Sequence, residues 1–200
     1  EDVTNVDSVG IITARAGIIV SAGILTARNI IDASDTSRNT RIGTNAGNSF
    51  SGTTTDNTLI GYDAGTAITS GDGNVAVGSY ALDANTTANY NTAVGYNALT
   101  GNTTGTNNTS LGRNSLYTNT TGGNNVAVGN AALSANTTAS YNNAMGVSAL
   151  ASNTTGANNV AIGYAALTAN TTASHNTAVG NDALTANTTG AEHVAIGSRA

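Results

Sequence analysis

The chain has 200 residues, only 8% of them charged, and a formal net charge of −5. An average globular protein carries roughly 25% charged residues. With six basic residues, all Arg, this one does not suit binding of nucleic acid by neutralising phosphates. The absence of cysteine excludes disulfides and thiolate metal sites, and its longest apolar run falls far short of the ~20 residues that span a bilayer.

Residues 1–40 form a segment of their own. Val9-Gly10-Ile11-Ile12-Thr13-Ala14-Arg15 returns as Gly23-Ile24-Leu25-Thr26-Ala27-Arg28, with Gly17-Ile18-Ile19-Val20 between. Short β-branched runs broken by glycine read as short strands joined by turns. So many Ile and Val in so short a piece predict burial against copies of itself, because a lone hairpin is only marginally stable. The segment is expected to be an intertwined N-terminal β connector. Arg15 and Arg28 at matching positions read as a solvated rim or as partners for Asp2, Asp7 or Asp32.

Residues 41–200 repeat. Glycine recurs every 17 residues from Gly61 to Gly197, and Arg41-Ile42-Gly43 is an imperfect first copy, 18 residues before Gly61. From Asn74 onward the residue before each glycine is apolar, as in Val77, Val94, Leu111 and Met145. The residue two before is Ala, or once Ser110, and the fourth after is Leu from Leu82 to Leu184. An Asn-Thr-Thr block follows each Leu, and an Asn, from Asn57 to Asn176, stands four before each glycine. Periods of this kind mark repeat architectures. Seventeen residues are too few for two helices, and they suit two short strands and two turns.

The expected fold is therefore all-β, a parallel β-roll or β-solenoid of 17-residue coils. Rungs at ~4.8 Å would build a rod on the order of 40 Å from nine coils. Equivalent residues should form ladders. The apolar position before glycine and the Leu ladder are expected inside together. The Ala/Ser ladder is expected where two sheets or subunits approach, and glycine where a Cβ is not tolerated. The Asn before each strand should cap its turn and bond to the rungs above and below.

Chemistry is sparse. There is no nucleophile constellation and no phosphate-loop lysine, no cofactor is implied, and scattered carboxylates do not suit a solenoid polysaccharide lyase. His175 and His193 occupy turn positions that other copies fill with Tyr or Asn. Ser70-Gly71-Asp72-Gly73-Asn74 lacks the nonapeptide repeat of calcium-binding β-helices. Each Asn-Thr-Thr block is formally a glycosylation sequon, which makes Asn85, Asn102, Asn119, Asn136, Asn153, Asn170 and Asn187 candidate glycan sites; Asn107 and Asn108 add two more. The competing reading is turn chemistry, since Asn tolerates left-handed backbone and Thr bonds locally. A paired-Thr ladder is also a poor match to the alternating threonines of an ice-binding face. Tyr62, Tyr80, Tyr90, Tyr96, Tyr117, Tyr141 and Tyr164 are either contact residues on exposed turns or a stack along the rod.

The Asn-x-Ala-Val/Ile-Gly-x-x-Ala-Leu-x-x-Asn-Thr-Thr pattern, over roughly residues 57–200, resembles repeats of phage tail-fibre proteins and related bacterial surface fibres. Its Val-Ala-Ile-Gly core is similar to the head repeat of trimeric autotransporter adhesins, whose usual repeat is shorter than 17 residues. The opening Val3–Arg15 resembles segments of structural proteins from phages of marine cyanobacteria. Such fibres often end in a self-cleaving chaperone domain, and nothing in this chain matches one. The resemblance implies a homotrimer of β-rolls in a virion tail fibre, not an enzyme, serving mechanical extension and surface attachment. Its partners would be copies of itself and a host-surface receptor or glycan, without membrane insertion. The alternative is a secreted or cell-surface adhesin or filament subunit, with or without glycans, that polymerises end to end. The chain opens without Met or a signal peptide and ends inside a repeat, which reads as a fragment.

Overall fold

A computed structural model describes residues 37–51 and 54–200. The expected N-terminal connector lies outside the described residues, apart from its last few. The rest is one ten-stranded parallel sheet in strict sequence order: β1 (Thr40–Ile42), β2 (Thr58–Ile60), β3 (Val75–Val77), β4 (Thr92–Val94), β5 (Thr109–Leu111), β6 (Val126–Val128), β7 (Asn143–Met145), β8 (Val160–Ile162), β9 (Thr177–Val179) and β10 (Val194–Ile196). Register advances by one repeat per rung, Val77 on Val94 and Val94 on Leu111. The imperfect first copy joins with an 18-residue step, Ile42 on Ile60. The chain is thus a β-solenoid of about nine turns with 17-residue coils.

Each coil holds one three-residue strand, not the two expected. The remainder is turn whose backbone alternates in hand. In the third rung Gly78, Tyr80, Leu82 and Tyr90 have φ of 134°, 60°, 54° and 59°. Alternation aims N–H groups at both neighbouring rungs. Gly78 and Tyr80 donate back to the carbonyls of Ile60 and Tyr62, while Leu82, Ala84 and Thr86 donate forward to Ala98, Thr100 and Thr103, all at 2.8–3.1 Å. Turn backbone thereby gains a ladder like that of a strand. A left-handed non-glycine residue costs roughly 1–2 kcal/mol, offset by these inter-rung bonds.

That geometry explains the choice of Leu. Leu82, Leu99, Leu116, Leu133, Leu150, Leu167 and Leu184 all have φ between 48° and 54°. A β-branched residue is an outlier there, so the position never takes the Val or Ile that fill the strands. In the first two rungs the same position is Gly47 and Gly65, both at φ 59°. The second rung recovers the lost volume with Leu59 in the strand and with Ile68, both fully buried. Later rungs exchange the sizes, Ala76 for Leu59 and Leu82 for Gly65.

The interior is thin. Each regular coil buries one large side chain, its Leu, among Ala76-type and Ala81-type alanines. Burying one Leu contributes about 2 kcal/mol, too little to hold a 17-residue coil closed by itself against about 1 kcal/mol or more of backbone entropy per residue. Cohesion comes from stacking. At the first rung Arg41 takes the inward position and lies over the Phe50 ring, 5.3 Å from its centroid.

The sequence expectation had the two faces of the strand reversed. The small residue two before glycine points inward: Ala76, Ala93, Ser110, Ala127, Ala144, Ala161 and Ala178 are fully buried. The apolar residue before glycine points outward, half-buried or exposed. A 17-residue coil leaves no room beside its Leu for a second branched chain, so the smaller of two adjacent strand residues takes the inside.

Candidate functional site

Gly78 stands on Gly95, and a Cβ on it would sit 2.5 Å from the Gly95 carbonyl oxygen. The glycine column is therefore a close contact between rungs, as expected.

Two columns of buried asparagine run beside the hydrophobic interior. In the first, Oδ1 of each residue accepts the backbone N–H of its counterpart one rung on: Asn57 from Asn74, Asn74 from Asn91, and so to Asn142 from Asn159, at 2.9–3.0 Å. In the second, the amide nitrogen of each block asparagine donates to Oδ1 of the one before, as Asn119 does to Asn102 at 2.9 Å. From Asn74 to Asn170 the columns meet at one carbonyl per coil. Asn74 and Asn85 both donate to Ala88 C=O, at 2.9 and 3.1 Å, and Asn91 and Asn102 both donate to Gly105 C=O. The amides replace a second hydrophobic cluster with a bonded polar one, and a bonded buried amide avoids a desolvation penalty of about 1–3 kcal/mol.

The sequon asparagines belong to these columns. Asn85, Asn102, Asn119, Asn136, Asn153 and Asn170 are fully buried, and each donates its amide hydrogens to the coil or to the rung before. Asn187 is partly exposed and still donates to Asn170 and to Gly190 C=O. In the six buried positions the amide nitrogen faces the coil interior. Asn108 is buried likewise, and Asn107 is exposed at φ 59°. In the blocks themselves, Thr86 donates its hydroxyl to Thr103 C=O, whereas the following Thr87 column is exposed.

The histidines fall where the sequence put them. His175 is an exposed left-handed residue at the position of Tyr90 and Tyr141. His193 replaces the last asparagine of the first column, its N–H donating to Asn176 Oδ1 at 3.0 Å. Asp72 Oδ1 accepts Thr55 N–H at 2.7 Å, and its own N–H donates to Asn89. Among the described residues no three His, Asp or Glu side chains come together as a metal would need, and no helix is long and apolar enough to cross a membrane. A cavity lined by Asp182, Leu184, Asn187, His193 and Arg199 is the solenoid interior seen at its last described coil, not a separate pocket.

Two buried substitutions answer each other. Ser110 and Ser115 stand alone among interior alanines. Their hydroxyl oxygens lie 2.5 Å apart, so one donates to the other, and the carbonyls of Ser115 and Gly112, each 2.9 Å away, are there to accept the remaining hydrogen. The sequence marks Ser110 as a departure from Ala, and the coil brings Ser115 to it.

The outer surface carries what could meet a partner. Tyr62, Tyr80 and Tyr96 pack edge-to-face, with ring centroids 5.5 and 5.9 Å apart. Partial burial, with Tyr62 and Asp63 nearby, pushes the Tyr80 phenol up. Tyr90, Tyr117, Tyr141 and Tyr164 are exposed. Across the turn, burial raises the Asp83 carboxyl above the usual range, opposed by a hydrogen bond from Thr66 and reinforced by Asp63. The outward face of the sheet is formed by the first and third residues of the ten strands. None of them is charged, and Ile42, Leu111, Met145, Ile162, Val194 and Ile196 are exposed. Compared with known protein families, with curated proteins and with solved structures, the chain matches none.

Proposed function

We propose that this chain is a structural element of a fibre, the shaft or head of a phage tail fibre, and that it acts by extension and surface attachment. The observation that carries the reading is the unbroken ladder of ten strands in one register, backed by one asparagine column from Asn57 to Asn176 and a second from Asn85 to Asn187. A linear stack in which each coil contacts only its neighbours is suited to bear load and to set distance. The resemblance of the repeat pattern to those of tail fibres would make the virion the place of action.

Copies would stand side by side as a homotrimer, and exposed turns carrying Tyr90 and Tyr141 would meet a host-surface receptor or glycan. Aromatic side chains on a rigid scaffold bring large contact area at low entropic cost.

Chemical cross-linking followed by negative-stain electron microscopy tests the reading. Trimers of fixed length support it. Filaments that lengthen with concentration would replace it with a polymerising adhesin, and a monomeric particle at all concentrations would remove it.

A further inference from the structure

We infer that the outward face of the parallel sheet is the seam along which copies of this chain join. The inference rests on the self-association in the proposed function and names the surface responsible.

The strip is made by the first and third residues of β1 to β10, from Thr40 and Ile42 to Val194 and Ile196. Its twenty positions hold Val, Ile, Leu, Met, Thr and one Asn, with no charge. A surface without charge over its whole length gains nothing from a charged partner and fits one equally neutral. Leu111 and Met145, two rungs apart, are the largest outward chains in the middle of the strip, 46% and 45% exposed. Their inward neighbours Ser110 and Ala144 are fully buried, so the coil is closed behind them.

Period selects the occupant. Side chains on the strip recur at one per rung, about 4.8 Å apart. To interdigitate over its full length, a partner must present ridges at that same spacing. A helix, rising 5.4 Å per turn, drifts out of step within a few turns. A second copy keeps step over all ten strands.

Size agrees. Nine steps of about 4.8 Å and three residues of about 3.3 Å give an outline of roughly 43 by 10 Å per copy. Exposed Tyr62, Tyr96, Val147 and Tyr164, each one residue beyond a rung's glycine, border it. They widen it toward the ~800 Å² per partner of a standard interface.

The chain has no cysteine, so single cysteines report cleanly. Met145→Cys on the strip and Thr138→Cys on the exposed threonine column are each treated with a short bis-maleimide. The double variant Leu111→Lys/Met145→Lys is run beside wild type by sedimentation, with circular dichroism as the check on folding. The expected result is intermolecular linkage at position 145 and little at 138, with association weakened at least 100-fold in the lysine variant at an unchanged spectrum. If wild type assembles, the lysine variant assembles equally and position 145 stays unlinked, copies meet elsewhere: the seam is wrong and the fibre reading stands. If wild type remains monomeric at hundreds of micromolar, both fall. The cysteine arm decides even where the lysines impair folding.

Discussion

Replacing Gly129 by Ala tests the stacking of rungs at one atom. Its φ is +132°, and an added methyl would lie 2.5 Å from the carbonyl oxygen of Gly146 and 2.6 Å from its carbon. Ordinary contact begins near 3.4 Å, so the rungs must part by about 1 Å. The bonds from Gly146 N–H to Val128 C=O, 2.8 Å, and from Ser148 N–H to Asn130 C=O, 2.9 Å, lie across the joint. Backbone strain of roughly 1–3 kcal/mol, with two bonds weakened at about 1 kcal/mol each, predicts a loss of about 3–5 kcal/mol. Gly197→Ala is the control. Its φ is +129° and its methyl meets nothing nearer than 3.9 Å, so it bears the strain alone, about 1–3 kcal/mol. Stacked repeats need not unfold all at once, so hydrogen exchange measured rung by rung is the better assay, with urea denaturation in support. Gly129→Ala should release protection in the rungs on either side of it. Equal effects at the two glycines would refute the contact between rungs.

Three further outcomes follow from the same geometry. Leu133→Ile preserves volume, a change that ordinarily costs less than about 1.5 kcal/mol. At φ 50° it should cost about 2–4 kcal/mol once left-handed strain is added, while outward Val128→Ile stays within about 0.5 kcal/mol of wild type, both read by urea denaturation. Ser110→Ala and Ser115→Ala should each cost about 1 kcal/mol. Made together they restore the pattern of the other coils and should be close to neutral, a coupling of about 2 kcal/mol in a double-mutant cycle. Asp83, held above the usual carboxylate range by burial, gives a folded state that binds its proton more tightly than the unfolded chain. Its contribution is fully present below the ordinary value of 3.8 and is lost as pH rises through the raised one. Asp83→Asn should therefore have a higher melting temperature than wild type at pH 7, and the gap should close below about pH 4; a gap that widens in acid contradicts the assignment.

Much of this architecture was legible because a repeat exposes its own constraints. The 17-residue step, the glycine at the close contact, the first asparagine column and the buried Leu all read directly from recurrence. Inside and outside did not. Ala76 and Val77 are adjacent, and hydrophobicity alone favours burying Val. Only the narrow coil, already filled by Leu82, makes Ala the inward residue. The second strand was also over-read, since turns of alternating hand make ladder bonds yet lack β-branched runs. A signal was there: Leu and never Val or Ile in seven copies, with Gly47 and Gly65 in the first two, marks a left-handed position. Similarly, Tyr90, Asn107, Asn124, Tyr141, Asn158, His175 and Glu192 share a left-handed site that excludes β-branching, which accounts for the histidine without a ligand. The sequons left two readings open because the motif specifies residue types and not exposure. Asn85 is the same residue whether its amide faces solvent or the carbonyl of Ala88.

The account rests on like residues stacking rung upon rung. Pulsed electron resonance between spin labels on the exposed threonine column measures that stacking. Thr87 and Thr155 are four rungs apart and Thr87 and Thr189 six, so at about 4.8 Å per rung the label pairs should lie about 19 and 29 Å apart, in proportion to rung number. Distances that fail to grow in that proportion would contradict the solenoid.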